Sequence, residues 1–77
     1  MGHVWNTATK YDEELSLCFI RDDEKMLFVD NADASIWWVQ VDDNCMLRFT
    51  CNNWVDVCKR ADEVIELFEN TGCKDEQ

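Results

Sequence analysis

Two hydrophobic periods divide the chain. From Glu14 to Cys51 apolar residues come in short runs, each closed by a cluster of acids or amides. Glu14 to Arg21 (ELSLCFIR) sets Leu15, Leu17 and Phe19 against Ser16, Cys18 and Ile20. Its length and its branched and aromatic content predict a strand. Asp22-Asp23-Glu24 breaks that run, and Lys25 to Asp30 (KMLFVD) is its expected hairpin partner. Ser35 to Val41 (SIWWVQV) and Cys45 to Cys51 (CMLRFTC) predict a second hairpin across Asp42-Asp43-Asn44. After Asn53 the spacing changes. Trp54, Val57, Cys58, Ala61, Val64, Ile65 and Phe68 recur at steps of three and four, which is one stripe of a helix. Asn53 is a suitable N-cap, Asp56 three residues on complements exposed N–H groups, and Gly72 fits a C-terminal stop. A helix of about sixteen residues spans roughly 24 Å, enough to cross four strands diagonally. The first ten residues read as a loose lead-in in which Val4 and Trp5 can pack as a short edge strand. Residues 74–77 read as a second loose end.

The expected fold is therefore α+β, a single domain over residues 1–77. It consists of a small four-stranded antiparallel meander with one C-terminal helix packed on one face. With a three-residue loop at 42–44, Val41 faces Cys45, Val39 faces Leu47 and Trp37 faces Phe49, an inner surface suited to the helix. Gln40 then pairs with Met46, Trp38 with Arg48 and Ile36 with Thr50 on the other side. Trp38 opposite Arg48 is a candidate cation–π pair worth about 0.5–1 kcal/mol. The first hairpin adds Ser16, Cys18 and Ile20 with Met26 and Phe28, or their complements, depending on its turn length. Either way, large apolar side chains occupy the face that one helix cannot cover. Phe28, Ile36, Trp38 and Met46 are the residues expected on this apolar interaction face. A contiguous patch of this kind marks an interaction surface unless something hides it. Three covers are open: the N-terminal segment with Val4, Trp5 and Tyr11, a second copy of the chain, or a foreign partner.

Charge narrows the partner. Seventeen acids stand against seven bases, a formal net charge of −10 with a single histidine. The bases are scattered, so direct binding to nucleic acid is not expected, nor is an anionic membrane surface. A basic protein surface is the expected partner. The acids gather at turns (Asp12-Glu13-Glu14, Asp22-Asp23-Glu24, Asp30 with Asp33, Asp42-Asp43) and on the helix (Asp62, Glu63, Glu66, Glu69). Glu66 and Glu69 sit where the helix dipole is already negative, and Asp62, Glu66 and Glu69 repel one another along the helix. A rim of carboxylates on a rigid small fold imitates a ladder of phosphates and competes for a basic groove by long-range attraction. The expected partner-binding rim is Asp22, Asp23, Glu24, Asp42 and Asp43 at one sheet edge, with Glu63 and Glu66 on the helix. Small acidic inhibitors of phages and mobile elements, anti-CRISPR proteins and DNA mimics among them, share this size and charge, without a shared residue motif.

Catalysis is not expected. There is no P-loop, GxGxxG, HExxH or GxSxG, and the one histidine, His3, lies in the lead-in. Cofactors are not expected either. The five cysteines (Cys18, Cys45, Cys51, Cys58, Cys73) are separated by 27, 6, 7 and 15 positions, without the C-x2-C knuckle usual for zinc. Reduced thiols packed as small hydrophobes are expected, with Cys73 the most accessible and a zinc module the lesser alternative. Neither a signal segment nor an apolar run of membrane-spanning length is visible, and Asn6 stands where a myristoylation signal needs Ser or Thr. The expected compartment is the cytoplasm, that of the host cell for a viral protein.

Overall fold

The computed structural model describes residues 2–71. Five strands precede one helix: β1 Trp5–Tyr11, β2 Leu15–Arg21, β3 Met26–Asp30, β4 Ile36–Asp42, β5 Cys45–Thr50 and α1 Val57–Thr71. The strands form one antiparallel sheet in chain order, β1-β2-β3-β4-β5. The sheet thus has five strands rather than the expected four, and the lead-in is a strand from Trp5 onward. Its sequence, WNTATKY, shows why the hydrophobic pattern is faint. As an edge strand it buries little, and only Trp5 and Ala8 are even half-buried. What holds it extended is the β-favouring content of Trp5, Thr7, Thr9 and Tyr11 together with backbone pairing to β2. A register shift between Thr7 and Lys10, and the charge of Lys10, interrupt what would otherwise be a flat open edge.

The second hairpin pairs as its alternation predicts: Ile36 with Thr50, Trp37 with Phe49, Trp38 with Arg48, Val39 with Leu47, Gln40 with Met46. One detail differs. Asp42 pairs with Cys45, so the turn is the two-residue Asp43-Asn44, and the irregularity falls at Val41, which stays buried. The first hairpin follows neither expected alternation. Leu17 pairs with Phe28 but Phe19 with Leu27, so β2 carries one extra residue at Cys18. A bulge leaves two successive residues against one partner, and here Cys18 and Phe19 both pack on the core. The bulge divides β2. Ser16, Phe19 and Arg21 share the helix side, while Leu15, Leu17 and Ile20 share the other.

The core joins Leu27, Val29, Trp37, Val39, Val41 and Phe49 from the sheet to Val57, Ala61 and Ile65 from the helix. Trp37, Leu27 and Ile65 are the largest side chains fully removed from solvent, each worth about 2–3 kcal/mol of burial. Asn53 does not cap the helix as expected: its Oδ1 accepts the Val55 N–H at 2.9 Å and closes a turn over Trp54–Asp56, and α1 begins only after it, at Val57. Trp54 does not enter the core. It stays about half exposed and meets Trp37 edge-on, with ring centroids 4.7 Å apart. The stop predicted at Gly72 lies outside the described residues. Among the described residues no helix is long and apolar enough to cross a membrane.

Candidate functional site: an acidic sheet end beside an uncovered apolar face

In a meander, alternate turns fall at the same end of the sheet. The β2–β3 turn, with Asp22, Asp23 and Glu24, therefore lies beside the β4–β5 turn, with Asp43, two strand spacings or about 10 Å away. Between them is a hollow of about 260 Å³ lined by Asp23, Glu24, Lys25, Met26, Gln40, Val41, Asp42 and Asp43. Four of the expected rim residues thus share one cup. Glu24 sits at φ +72°, the left-handed region, where a side chain costs about 1–2 kcal/mol. The tight turn demands it: Glu24 N–H donates to Arg21 O at 2.8 Å, and Arg21 N–H to Lys25 O at 2.7 Å. Glycine is the usual answer there, and this chain places a carboxylate instead.

Asp22 and Asp23 are not free rim charges. Arg21, only 4% exposed, donates Nε and Nη2 to the two carboxylate oxygens of Asp23 at 2.8 and 2.6 Å. Its Nη1 reaches Asp62 Oδ1 on the helix at 3.0 Å. The Trp5 indole N–H donates to that same oxygen at 3.0 Å, and the guanidinium lies 5.8 Å from the centre of the Trp5 ring. Lys25 Nζ adds a contact to Asp23 at 3.5 Å. The hydrogen bonds from Arg21 hold the Asp23 carboxyl well below the usual carboxylate range, and Asp23 in turn raises Arg21. Asp22 is bonded through Oδ1 to His3 Nδ1 at 2.8 Å, which lowers its pKa, and it accepts the Val4 N–H at 3.3 Å. His3 is thereby tied to the sheet end. By contrast Glu24, Asp42, Asp43, Glu63 and Glu66 take part in no ion pair among the described residues.

The helical acids divide. Glu66 lines a second hollow of about 230 Å³ with His3, Arg21, Asp62 and Glu69, on the helix side of the sheet. Glu63 is exposed and lines neither hollow. Asp62, which the helical pattern puts on the solvated side, is instead the acceptor that joins α1 to Trp5 and Arg21. Sequence reasoning missed this latch, because its members lie 41 and 57 positions apart and no local pattern joins them.

The side of the sheet away from the helix is apolar, and none of the described residues covers it. Leu15, Leu17, Ile20, Met26, Phe28, Ile36, Trp38 and Met46 all lie on it, including the four expected residues. Its middle rung reads Lys10, Leu17, Phe28, Trp38, Arg48 from edge to edge. A hollow of about 530 Å³ opens here, lined by Lys10, Tyr11, Asp12, Leu15, Leu17, Met26, Phe28 and Met46. The N-terminal segment does not hide this face, since it pairs along the sheet edge with Trp5 turned to the helix. Trp38 and Arg48 are opposite one another without a ring contact, and the one cation–π pair among the described residues is Arg21 over Trp5. Trp38 Nε1 is shielded from solvent and has no acceptor among the described residues.

The cysteine expectation needs one correction: Cys45 is disulfide-bonded. An odd count forbids complete pairing but not a single bridge. Cys18, Cys51 and Cys58 are free, half-buried and packed against the core, and burial pushes the Cys18 and Cys58 thiols up. Cys73 lies outside the described residues. Among the described residues His3, Asp22 and Asp23 are the one group of ligand-type side chains close enough to share an ion. Their atoms are already engaged with one another, Arg21 and Lys25. Comparison with known proteins finds no matching family model, no similar curated protein and no similar solved structure.

Proposed function

We propose that this chain is a non-enzymatic acidic interaction protein that occupies a basic surface of a nucleic-acid-handling protein. Phage-type inhibitors, DNA mimics and anti-CRISPR proteins act in this manner. The observation that carries the reading is the end of the sheet where Glu24, Asp42 and Asp43 stand together with no ion-pair partner among the described residues. Arg21 and Lys25, the nearest bases, are bonded to Asp23 and leave those three unbalanced. Such a surplus attracts a cationic groove over about a Debye length, 8–10 Å at ordinary salt. The test is displacement of a fluorescent duplex from purified DNA-binding proteins. The protein should displace the duplex less effectively as salt rises, and Asp42→Lys with Asp43→Lys should abolish displacement while the melting temperature holds. Displacement unaffected by the double reversal would sink the reading.

The uncovered apolar face favours a second reading, a structural or regulatory homodimer module built on Phe28, Ile36, Trp38 and Met46. In that case Trp38→Ala yields a monomer in sedimentation and high salt leaves the dimer intact.

A further inference from the structure

We propose that the acidic cup and the apolar face form one surface, and that its occupant is a polypeptide segment carrying cationic residues next to large apolar ones. The inference rests on the acidic-interaction reading and makes it more specific.

Continuity comes first. The cup and the apolar hollow share Met26 as a common wall. Met26 pairs with Gln40, and Gln40 with Met46, so this rung separates the carboxylates from Phe28 and Trp38 by a single step along the strands. One rung to the next same-side rung is about 7 Å, the reach of a dipeptide. A segment lying along β3 and β4 therefore meets Asp42, Asp43 and Glu24 with one end and Leu17, Phe28 and Trp38 with the next few residues. Lys10 lines the apolar hollow from the β1 edge and Arg48 lies at the β5 edge, so a segment along β3 and β4 runs between them.

Charge selects the occupant. A second copy would bring its own −10 to the contact and, with the two-fold axis along the strands, its own carboxylates to the same end. With strands aligned, a two-fold face-to-face pair also sets Lys10 over Lys10 or over Arg48. A cationic–apolar segment meets neither penalty. It neutralises the cup and covers the apolar rungs. The orphan indole N–H of Trp38 lies on this same face, where a hydrogen-bond acceptor is lacking.

The probes are three synthetic peptides of equal length: one with lysines followed by Leu and Phe, one with the same number of lysines in a Ser/Gly background, and an uncharged apolar one. Affinity is read by fluorescence anisotropy, and contacts by amide chemical-shift changes on isotope-labelled protein. The mixed peptide should bind at least about tenfold tighter than the lysine-only peptide, with shifts running from Asp43 through Met26 to Phe28 and Trp38. Phe28→Ser should remove that advantage and Asp43→Asn should weaken both cationic peptides. Met46→Ser serves as the alternative if the Phe28 variant fails to fold. Equal affinities with shifts confined to the two acidic turns would overturn the inference and leave the acidic-surface reading standing. Tightest binding by the uncharged peptide would overturn it, as would a concentration-dependent dimer that protects Phe28 and Trp38. Failure of all three peptides to bind would overturn it too, with the duplex-displacement assay then deciding the broader reading separately.

Discussion

The two faces of the sheet are almost equally rich in apolar side chains, yet only one is a core. Beneath the helix, Leu27, Trp37 and Val39 have no exposed surface at all. On the other side, Phe28, Ile36 and Trp38 reach only half-burial, by leaning on their neighbours along the rungs. The strands are written for a sheet covered twice, whereas the described chain covers it once. Apolar content therefore does not distinguish a core from a contact surface; the presence of an opposing layer does. The same contrast separates the two ends of the sheet. At the β3–β4 end, Asp30 and Asp33 accept N–H groups of Ala32, Asp33 and Ser35 and serve the turn. At the cup Asp42 Oδ1 likewise accepts the Asp43 N–H at 2.6 Å, whereas Glu24 and Asp43 serve no such bond among the described residues.

Substitutions measure this difference between faces. Trp37→Ala, in the covered face, should cost about 3–5 kcal/mol in chemical denaturation, enough to threaten folding of so small a domain. Asp23→Asn should come next, at about 2–3 kcal/mol near neutral pH, because it strips the buried Arg21 of its two-pronged partner. Its pH signature is specific. The Asp23 carboxyl is lowered in the folded chain, so its contribution is complete above the ordinary carboxyl value of about 4 and is lost as pH falls through the lower folded value. The gap between wild type and Asp23→Asn should accordingly narrow with acid. A constant gap from pH 7 to pH 2 would mean that the ion pair is not what the substitution removed. Phe28→Ser, on the uncovered face, should cost only about 1 kcal/mol. A loss equal to that of Trp37→Ala would show that the outer face is a second core, and would erase the contrast. Smallest of all, Glu24→Gly should raise stability by about 0.5–1 kcal/mol, since it relieves the left-handed strain but gives up some chain entropy.

Legibility in the sequence followed the range of the interaction. The β4–β5 register could be read because Trp37, Val39 and Phe49 alternate cleanly on either side of an acidic turn. The cup could be placed because hairpin tips of a meander must share an end. Strand β1 could not be read from hydrophobicity, since an edge strand needs only backbone partners and Trp5. The Cys18 bulge depends on how β2 fits β3 rather than on any residue preference, and it undid both expected alternations of the first hairpin. Asp23 and Asp62 read as solvent-facing acids because the cation that claims them, Arg21, is placed between them only when helix and sheet have met.

Arg21 has a further consequence for motion. One guanidinium gathers the edge strand through Trp5, the acidic turn through Asp23 and the first half of the helix through Asp62. These three segments would otherwise open separately. Bound to a common centre, they should exchange their amide hydrogens as one unit. The opening of the helix would then be timed to the opening of the turn that carries the charge.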